Sequence, residues 1–401
     1  MWSETSIGRS SESGSRADPV SQSAHRIVHV CAQHSVEDRR VFQRSCCSLA
    51  KAGYDVHLVA HATPRVPIGT HTVDGVTVHS VRKPGGRRDR AAHRNEVMAV
   101  VRGLNADAYH VHEPELLGPT IQLAGGKPVI WDVHEVYMEA VKEREWIPKP
   151  LRPIAAFVWD RTEKGHLKRC AAVVPATESV ARRYYPLHKK VVTIWNFPEL
   201  EDFPVKPDAE RDPGVFVYVG GLDEPRGVQQ GVLAAGVLRK RGVHATFKIA
   251  PWHGEHRIPE LRRLAEECGA GDSVQVVDKM SKWELAEFLN RAWIGLVPHL
   301  PTYRMSLNMP VKILEYMAME LPIVYTDLPN HVEMTDGRNV GIKVDTRSPE
   351  AIADAIQMLI EHPEEARAMG RRGRELIEEK FNWTTEARKL TALYGEILGR
   401  P

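Results

Sequence analysis

Val215-Phe216-Val217-Tyr218-Val219-Gly220-Gly221-Leu222-Asp223-Glu224-Pro225-Arg226-Gly227 is the stretch on which the reading of this chain turns. Val215 to Val219 are all β-branched or aromatic, two glycines stop the run, and a helical pattern opens near Gly227. A short apolar run without polar alternation is a strand covered on both faces, as in a parallel sheet between helix layers. The pattern repeats downstream in Ala245–Ala250, Val274–Val277, Ile294–Pro298, Ile323–Thr326 and Gly341–Val344, with helical stretches between them. Upstream it occurs in Arg26–Ala32, Asp55–His61, Val76–Val81, Ala108–His112, Val129–Val133, Ala171–Pro175 and Val191–Trp195. Pro198, Pro204, Pro207 and Pro213, set among acidic residues, separate the two series. The expected fold class is therefore α/β, with two Rossmann-like, doubly wound parallel-sheet domains facing a central cleft. The expected division is a first domain over 26–200, a linker over 201–213 and a second domain over 214–382. Residues 383–401 are expected to form a C-terminal helix whose stripe of Ala387, Leu390, Tyr394 and Ile397 packs back on the first domain.

Composition narrows the function. The chain has 401 residues, 42% hydrophobic and 26% charged, ordinary for a soluble protein of two or three domains. A net charge of +2 gives no support to wholesale nucleic-acid binding. Residues 1–25, rich in serine, read as a disordered tail without the apolar stretch of a signal peptide. Five cysteines, with Cys46 and Cys47 adjacent, suit a reducing compartment. No apolar run nears the ~18–20 residues of a membrane span, so the expected location is the cytoplasm. The basic run Arg82–Arg90 reads as a solvated loop. Contact with an anionic membrane surface, peripherally, or with an anionic acceptor is the alternative.

Ligands of doubly wound sheets bind beyond the carboxyl ends of the strands. There the second domain offers Ser306-Leu307-Asn308-Met309-Pro310-Val311-Lys312-Ile313-Leu314-Glu315-Tyr316-Met317. A helix opens near Pro310, and a lysine in its first turn opposes the dipole unless an anion is bound there. Phosphate on Lys312 and backbone amides, with a ribose diol on Glu315 one turn further along, makes a coherent nucleotide site. An ordinary amphipathic helix is the plainer alternative. Gly220 and Gly221 let backbone approach a ligand, and Arg226 is placed to clamp a diphosphate; a simple tight turn is the alternative. The first domain offers His110-Val111-His112-Glu113 and Asp132-Val133-His134-Glu135 at successive strand ends, suited to sugar hydroxyls or acid–base work. His34-Ser35-Val36-Glu37-Asp38-Arg39-Arg40 is read as an acceptor loop, with helix capping as the alternative. There is no Asp-x-Asp and no His-Glu-x-x-His, so no metal is expected.

Together these segments resemble glycosyltransferase family 4. The resemblance rests on Pro310-x-Lys312-x-x-Glu315-Tyr316-Met317-Ala318, Pro322-Ile323-Val324, Asp327-x-Pro329 with Glu333, and Glu379-Lys380-Phe381-Asn382-Trp383. In the first domain it rests on Asp38-Arg39-Arg40-Val41-Phe42, Ser48-Leu49-Ala50-x-x-Gly53-Tyr54 and Asp132-Val133-His134-Glu135. It implies the GT-B architecture, with the acceptor on the first domain and the donor on the second. It also implies retaining, metal-independent transfer from a nucleotide-sugar, which is a substrate and not a cofactor. By the same resemblance Glu315 holds the ribose and His134 contacts the donor sugar near the reacting carbon. The chain departs from the family pattern in three places. Leu307 stands where a first glutamate is usual, Gly221 where an arginine is usual, and Arg226 where a lysine is usual. The expected catalytic residues are His134, Arg226 and Lys312. Gly220, Gly221, Arg226, Asn308, Met309, Lys312 and Glu315 are expected to bind the donor. His34, Asp38, Arg39, His112 and Glu113 are expected to bind a sugar, lipid-linked or small-molecule acceptor. A non-catalytic partner subunit, or a nucleotide-sugar epimerase or hydrolase of the same fold, is the alternative.

Overall fold

The computed structural model describes residues 24–143, 147–206, 210–280, 282–302, 305–306 and 309–399. Most of the expected tail, together with Leu307 and Asn308, lies outside them. The first series of runs builds a seven-stranded sheet: β1 (Arg26–Ser35), β2 (Asp55–His61), β3 (Gly69–Val73), β4 (Val76–Val81), β5 (Ala108–Val111), β6 (Val129–Val133) and β7 (Ala172–Pro175). Its order is β3-β4-β2-β1-β5-β6-β7, parallel throughout except for the antiparallel β3–β4 pair. The second series builds a wholly parallel six-stranded sheet: β8 (Val215–Gly220), β9 (Thr246–Pro251), β10 (Val274–Val276), β11 (Ile294–Val297), β12 (Ile323–Thr326) and β13 (Gly341–Val344). Its order is β10-β9-β8-β11-β12-β13.

The central strands are buried on both faces, which explains their unbroken apolar runs. Two departures from expectation have physical causes. β3 (Gly-Thr-His-Thr-Val) is an exposed edge strand with too little apolar content to signal itself. Val191–Trp195 is not a strand. It runs beside β7 through a single bridge, Val191 to Val173, and the Trp195 amide then turns to Glu386 Oε2 (2.9 Å).

That glutamate belongs to the last helix, Trp383–Leu398, which starts on an Asn382 cap. Trp383, Leu390, Leu393 and Tyr394 sit in the same apolar cluster as Ile27, Leu49, Tyr54 and Leu58 of the first sheet's surroundings. Trp383 Nε1 donates to Ser48 Oγ (2.9 Å). The chain thus crosses to the second sheet and returns to the first. The switch points lie where β1 meets β5 and β8 meets β11, and the candidate site is drawn from the carboxyl ends of these four strands and of their neighbours β6 and β9.

Candidate active site

On the second sheet the Val311–Ala318 helix follows β11 and starts at Pro310, whose side chain caps nothing. Lys312 and Glu315 lie one turn apart on it and are both buried. Lys312 Nζ donates to Glu315 Oε2 at 2.6 Å, so the two groups read as separate ligand contacts meet each other. The ammonium also stands 3.2 Å from the centre of the Trp252 ring, a cation–π contact. Burial is the main cause that pulls the Lys312 pKa down to about 8. Glu315 opposes this, and Arg39 and Arg226 push further down. Lys312, Arg39 and Arg226 thus act on one another around the single carboxylate of Glu315, a concentration of positive charge that attracts anions.

Arg226 closes the Glu224–Arg226 turn after β8, and among the described residues its guanidinium has no hydrogen bond or ion pair. Gly227 behind it is fixed by geometry. Its φ is +67°, and a Cβ there would stand 1.9 Å from the Pro298 carbonyl oxygen at the end of β11. Only glycine lets the Arg226 turn pack this closely on the neighbouring strand. At Gly221 the space a side chain would take is filled by the His253 imidazole, 2.1 Å from the ideal Cβ position. Met309 packs on the core cluster beneath.

The first sheet builds its half around Asp132, the penultimate residue of β6. Its carboxylate is fully buried and accepts from Arg40 NH2 at 2.9 Å. His110 Nε2, His112 Nδ1 and His134 Nε2 each stand 3.5 Å from its oxygens. Burial alone would raise the Asp132 pKa, but Arg40 and the surrounding histidines outweigh it and hold the carboxyl well below its usual range. His134 leaves the sheet after β6. Burial pulls its pKa down to about 4 against the opposing pull of Asp132. It is a neutral imidazole at pH 7, able to hydrogen-bond a sugar hydroxyl without adding charge. The His34 ring lies 4.8 Å from it.

The acceptor loop divides by use. Glu113 spends both carboxylate oxygens on the irregular carboxyl end of β1, accepting from the amides of Ala32 (3.0 Å), Gln33 (2.8 Å) and His34 (3.1 Å) and from His34 Nδ1 (2.7 Å). Asp38 accepts from the Val41 amide (2.9 Å), the capping role, at the start of the π-helical Arg39–Cys46 turn. His112 is fully buried behind His134, with Nε2 3.0 Å from His29 Nδ1. His34 and Arg39 keep access to the cleft. Arg39 also ties the two halves together: NH1 lies 3.8 Å from Glu315 Oε1, and the guanidinium stands 6.0 Å from the centre of the Trp252 ring.

Among the described residues three side-chain groups have metal-ligand spacing: His29, His110 and His112; Cys31, His34 and Glu113; and His112, Asp132 and His134. In the last, Arg40 already matches the charge of Asp132. Sequence reading placed Arg40 only within the acceptor loop and gave no role to Trp252. Trp252 stands directly after β9, so the strand-end rule would have reached it. Nothing in the spacing marks Arg40 as the partner of a residue 92 positions away.

A model of family 4 glycosyltransferases matches residues 39–202, and one of the group 1 glycosyl transferases matches residues 213–362. The two sheets match solved GT-B structures. Sucrose-phosphate synthase from Thermosynechococcus elongatus superposes with a TM-score of 0.73 at 19% identity, covering 94% of this chain and all of that one. Glycogen synthase of Mycobacterium tuberculosis is 22% identical over 376 residues, 86% of this chain and 88% of that one. Alpha-D-kanosaminyltransferase of Streptomyces kanamyceticus is 29% identical over 187 residues, 46% of each chain. This chain belongs to the group 1 glycosyltransferases, family 4, and has the GT-B fold. Among the described residues no helix is long and apolar enough to cross a membrane.

Proposed function

We propose that the chain transfers a sugar, with retention, from a nucleoside-diphosphate-sugar to an acceptor hydroxyl, and that side chains and backbone amides alone neutralise the leaving diphosphate. Arg226, Lys312 and the uncapped amides at the start of the Val311–Ala318 helix bind the diphosphate. They stabilise the charge that grows as the sugar–phosphate bond breaks. Glu315 takes the ribose hydroxyls and Met309 flanks the sugar, while Gly220 lets the backbone come close. Neutral His134 orients the sugar, held in place by Asp132 and Arg40. The new bond forms from the acceptor oxygen to the same carbon, on the face the phosphate leaves. The acceptor proton passes to the departing phosphate oxygen. His34 and Arg39 border the acceptor, and Arg39 closes onto Glu315 to exclude water.

The observation that carries this reading is the buried Lys312–Glu315 pair, beside which Arg226 has no partner of its own among the described residues. Calorimetric titration of UDP, GDP and ADP tests it. One of them should bind the native protein, and Arg226→Ala and Glu315→Gln should each weaken that binding at least tenfold. Unchanged affinity in both variants refutes the donor site. A folded protein that binds none of the three is the non-catalytic partner subunit.

A further inference from the structure

A second concavity lies on the first sheet, away from the diphosphate residues. It is a cavity of about 260 Å³ at the carboxyl ends of β1 and β2, lined among others by Gln33, His61, Lys83, Arg90, His93 and Glu115. Its wall is the loop that Glu113 folds, and His34, the residue after Gln33, has its ring 4.8 Å from that of His134. The cavity therefore adjoins the place where an acceptor hydroxyl has to arrive.

The basic run Arg82–Arg90 divides here by use. Arg82 is consumed by Asp89 and Glu96. Lys83 and Arg90 line the cavity, and among the described residues neither has an ion pair or side-chain hydrogen bond. Arg90 opens the Arg90–Gly103 helix, which has no acidic residue in its first turn. Asp89 at its start makes no capping bond, its carboxylate being taken by Arg82 and the Gly85 amide. A cation on an uncapped helix start is unfavourable until an anion joins it.

A second observation concerns His93, one turn along the same helix from Arg90. His93 is buried to 1% exposure, and its Nε2–H donates to the Ala32 carbonyl (2.9 Å). Its Nδ1 is buried with no partner. In the neutral ring that nitrogen is an acceptor, so the group it lacks is a donor such as a hydroxyl. Glu115, steadied by Gln33 Nε2 (2.5 Å), adds carboxylate acceptor capacity on the same side. The lining thus combines cations that call for negative charge with acceptors that call for hydroxyl hydrogens. Its volume falls below the ~300–1,000 Å³ of drug-sized sites, which suits a molecule of monosaccharide size.

We infer that this cavity holds the acceptor of the transfer proposed above, and that the acceptor is a small polyol or sugar carrying a phosphate or carboxylate. Lys83 and Arg90 read the anion. His93 Nδ1 and Glu115 take hydroxyl hydrogens and turn the remaining hydroxyl toward His34 and His134. A free sugar phosphate and the headgroup of a phosphoinositide present the same chemistry.

The test is binding to the full chain by calorimetry, with glucose, glucuronate, glucose 6-phosphate and inositol 1-phosphate as soluble probes. Vesicles of phosphatidylcholine, with and without phosphatidylinositol, serve as the lipid arm. At least one charged probe should bind tenfold or more tighter than glucose. The double variant Lys83→Ala/Arg90→Ala should remove that preference, and His93→Phe should weaken binding of the same probe. Preference for a soluble probe or for phosphatidylinositol vesicles, abolished by the double variant, supports the site and identifies the source. Equal binding of charged and neutral probes, or a charge preference that survives the double variant, overturns it. Nucleoside diphosphate titrated into the same variants separates the two proposals. Retained nucleotide binding beside no acceptor preference defeats the acceptor cavity alone, whereas loss of nucleotide binding in the native protein defeats the donor reading.

Discussion

Each half of the site holds a buried carboxylate against a buried cation, and the two pairs behave differently. On the first sheet Asp132 meets Arg40 at 2.9 Å; on the second Glu315 meets Lys312 at 2.6 Å. Arginine cannot release its proton in a protein, so the Asp132–Arg40 pair is permanent and serves as an anchor for three imidazoles. Lysine can, and with its pKa drawn down to about 8 Lys312 titrates near working pH. In the transfer proposed above, the anchor belongs to the half that would orient the sugar, and the adjustable charge to the half that would take up and release a diphosphate.

The largest expected effect breaks the anchor. Asp132→Asn leaves the Arg40 guanidinium buried without its counter-charge and should cost about 3–5 kcal/mol, measured by denaturant unfolding. A loss under about 1 kcal/mol would mean that water reaches Arg40 and that the pair is no anchor.

Acid should act on the same half. The folded-state pKa of His134 is about 4, below its ordinary 6.5. Between those values the unfolded chain binds a proton that the folded chain does not. The stability that His134 contributes therefore falls as pH drops from 6.5 toward 4, and its own share levels off below. His29 and His112 are lowered by burial as well and add to the same slope. Thermal unfolding from pH 7 to 4 checks this, and His134→Gln should flatten part of the decline. An unchanged profile in that variant removes His134 from the account.

The matching change on the second half should be milder and should depend on pH. Glu315→Gln removes the partner of a lysine that can shed its charge, so at pH 8 the loss should be on the order of 1 kcal/mol or less. It should grow by up to ~1.4 kcal/mol per pH unit below that. Denaturation at pH 8 and pH 6 decides; equal losses at both would show that Lys312 stays charged throughout. For the same reason nucleoside diphosphate affinity should decline above pH 8 in the native protein and hold steady in Lys312→Arg.

The smallest effect tests how the last helix supports the anchor. Tyr394 Oη stands 2.9 Å from His110 Nδ1, and His110 faces Asp132. Tyr394→Phe should cost about 0.5–1.5 kcal/mol without changing nucleotide binding. A change in nucleotide affinity would show that the last helix couples to the distant half.

Much of the fold was legible because parallel strands buried on both faces carry their signal in unbroken apolar runs. Val215–Val219 and Val129–Val133 needed no partner to be recognised. β3 was not legible, since an exposed edge strand has no apolar pattern, and Val191–Trp195 misled because an apolar run does not say what it pairs with. In the site, Lys312 was found because a cation in the first turn of a helix is locally unfavourable and calls for an explanation. Glu113 and Asp38 were read toward ligands, yet in the structure their oxygens hold the carboxyl end of β1 and the turn that follows it, a use visible only once those backbone amides converge.

By itself the sequence determined the alternation of strands and helices, the separation into two series, and the residue types at each strand end, because these depend on local periodicity and on charge near helix starts. Tertiary structure alone decided that Arg40 neutralises Asp132, that Trp252 lies under Lys312, that Arg39 spans the cleft, and that the last helix returns to the first sheet. Those contacts join residues far apart in the chain, and burial, which sets their strength and their proton affinities, exists only after the chain has closed on itself.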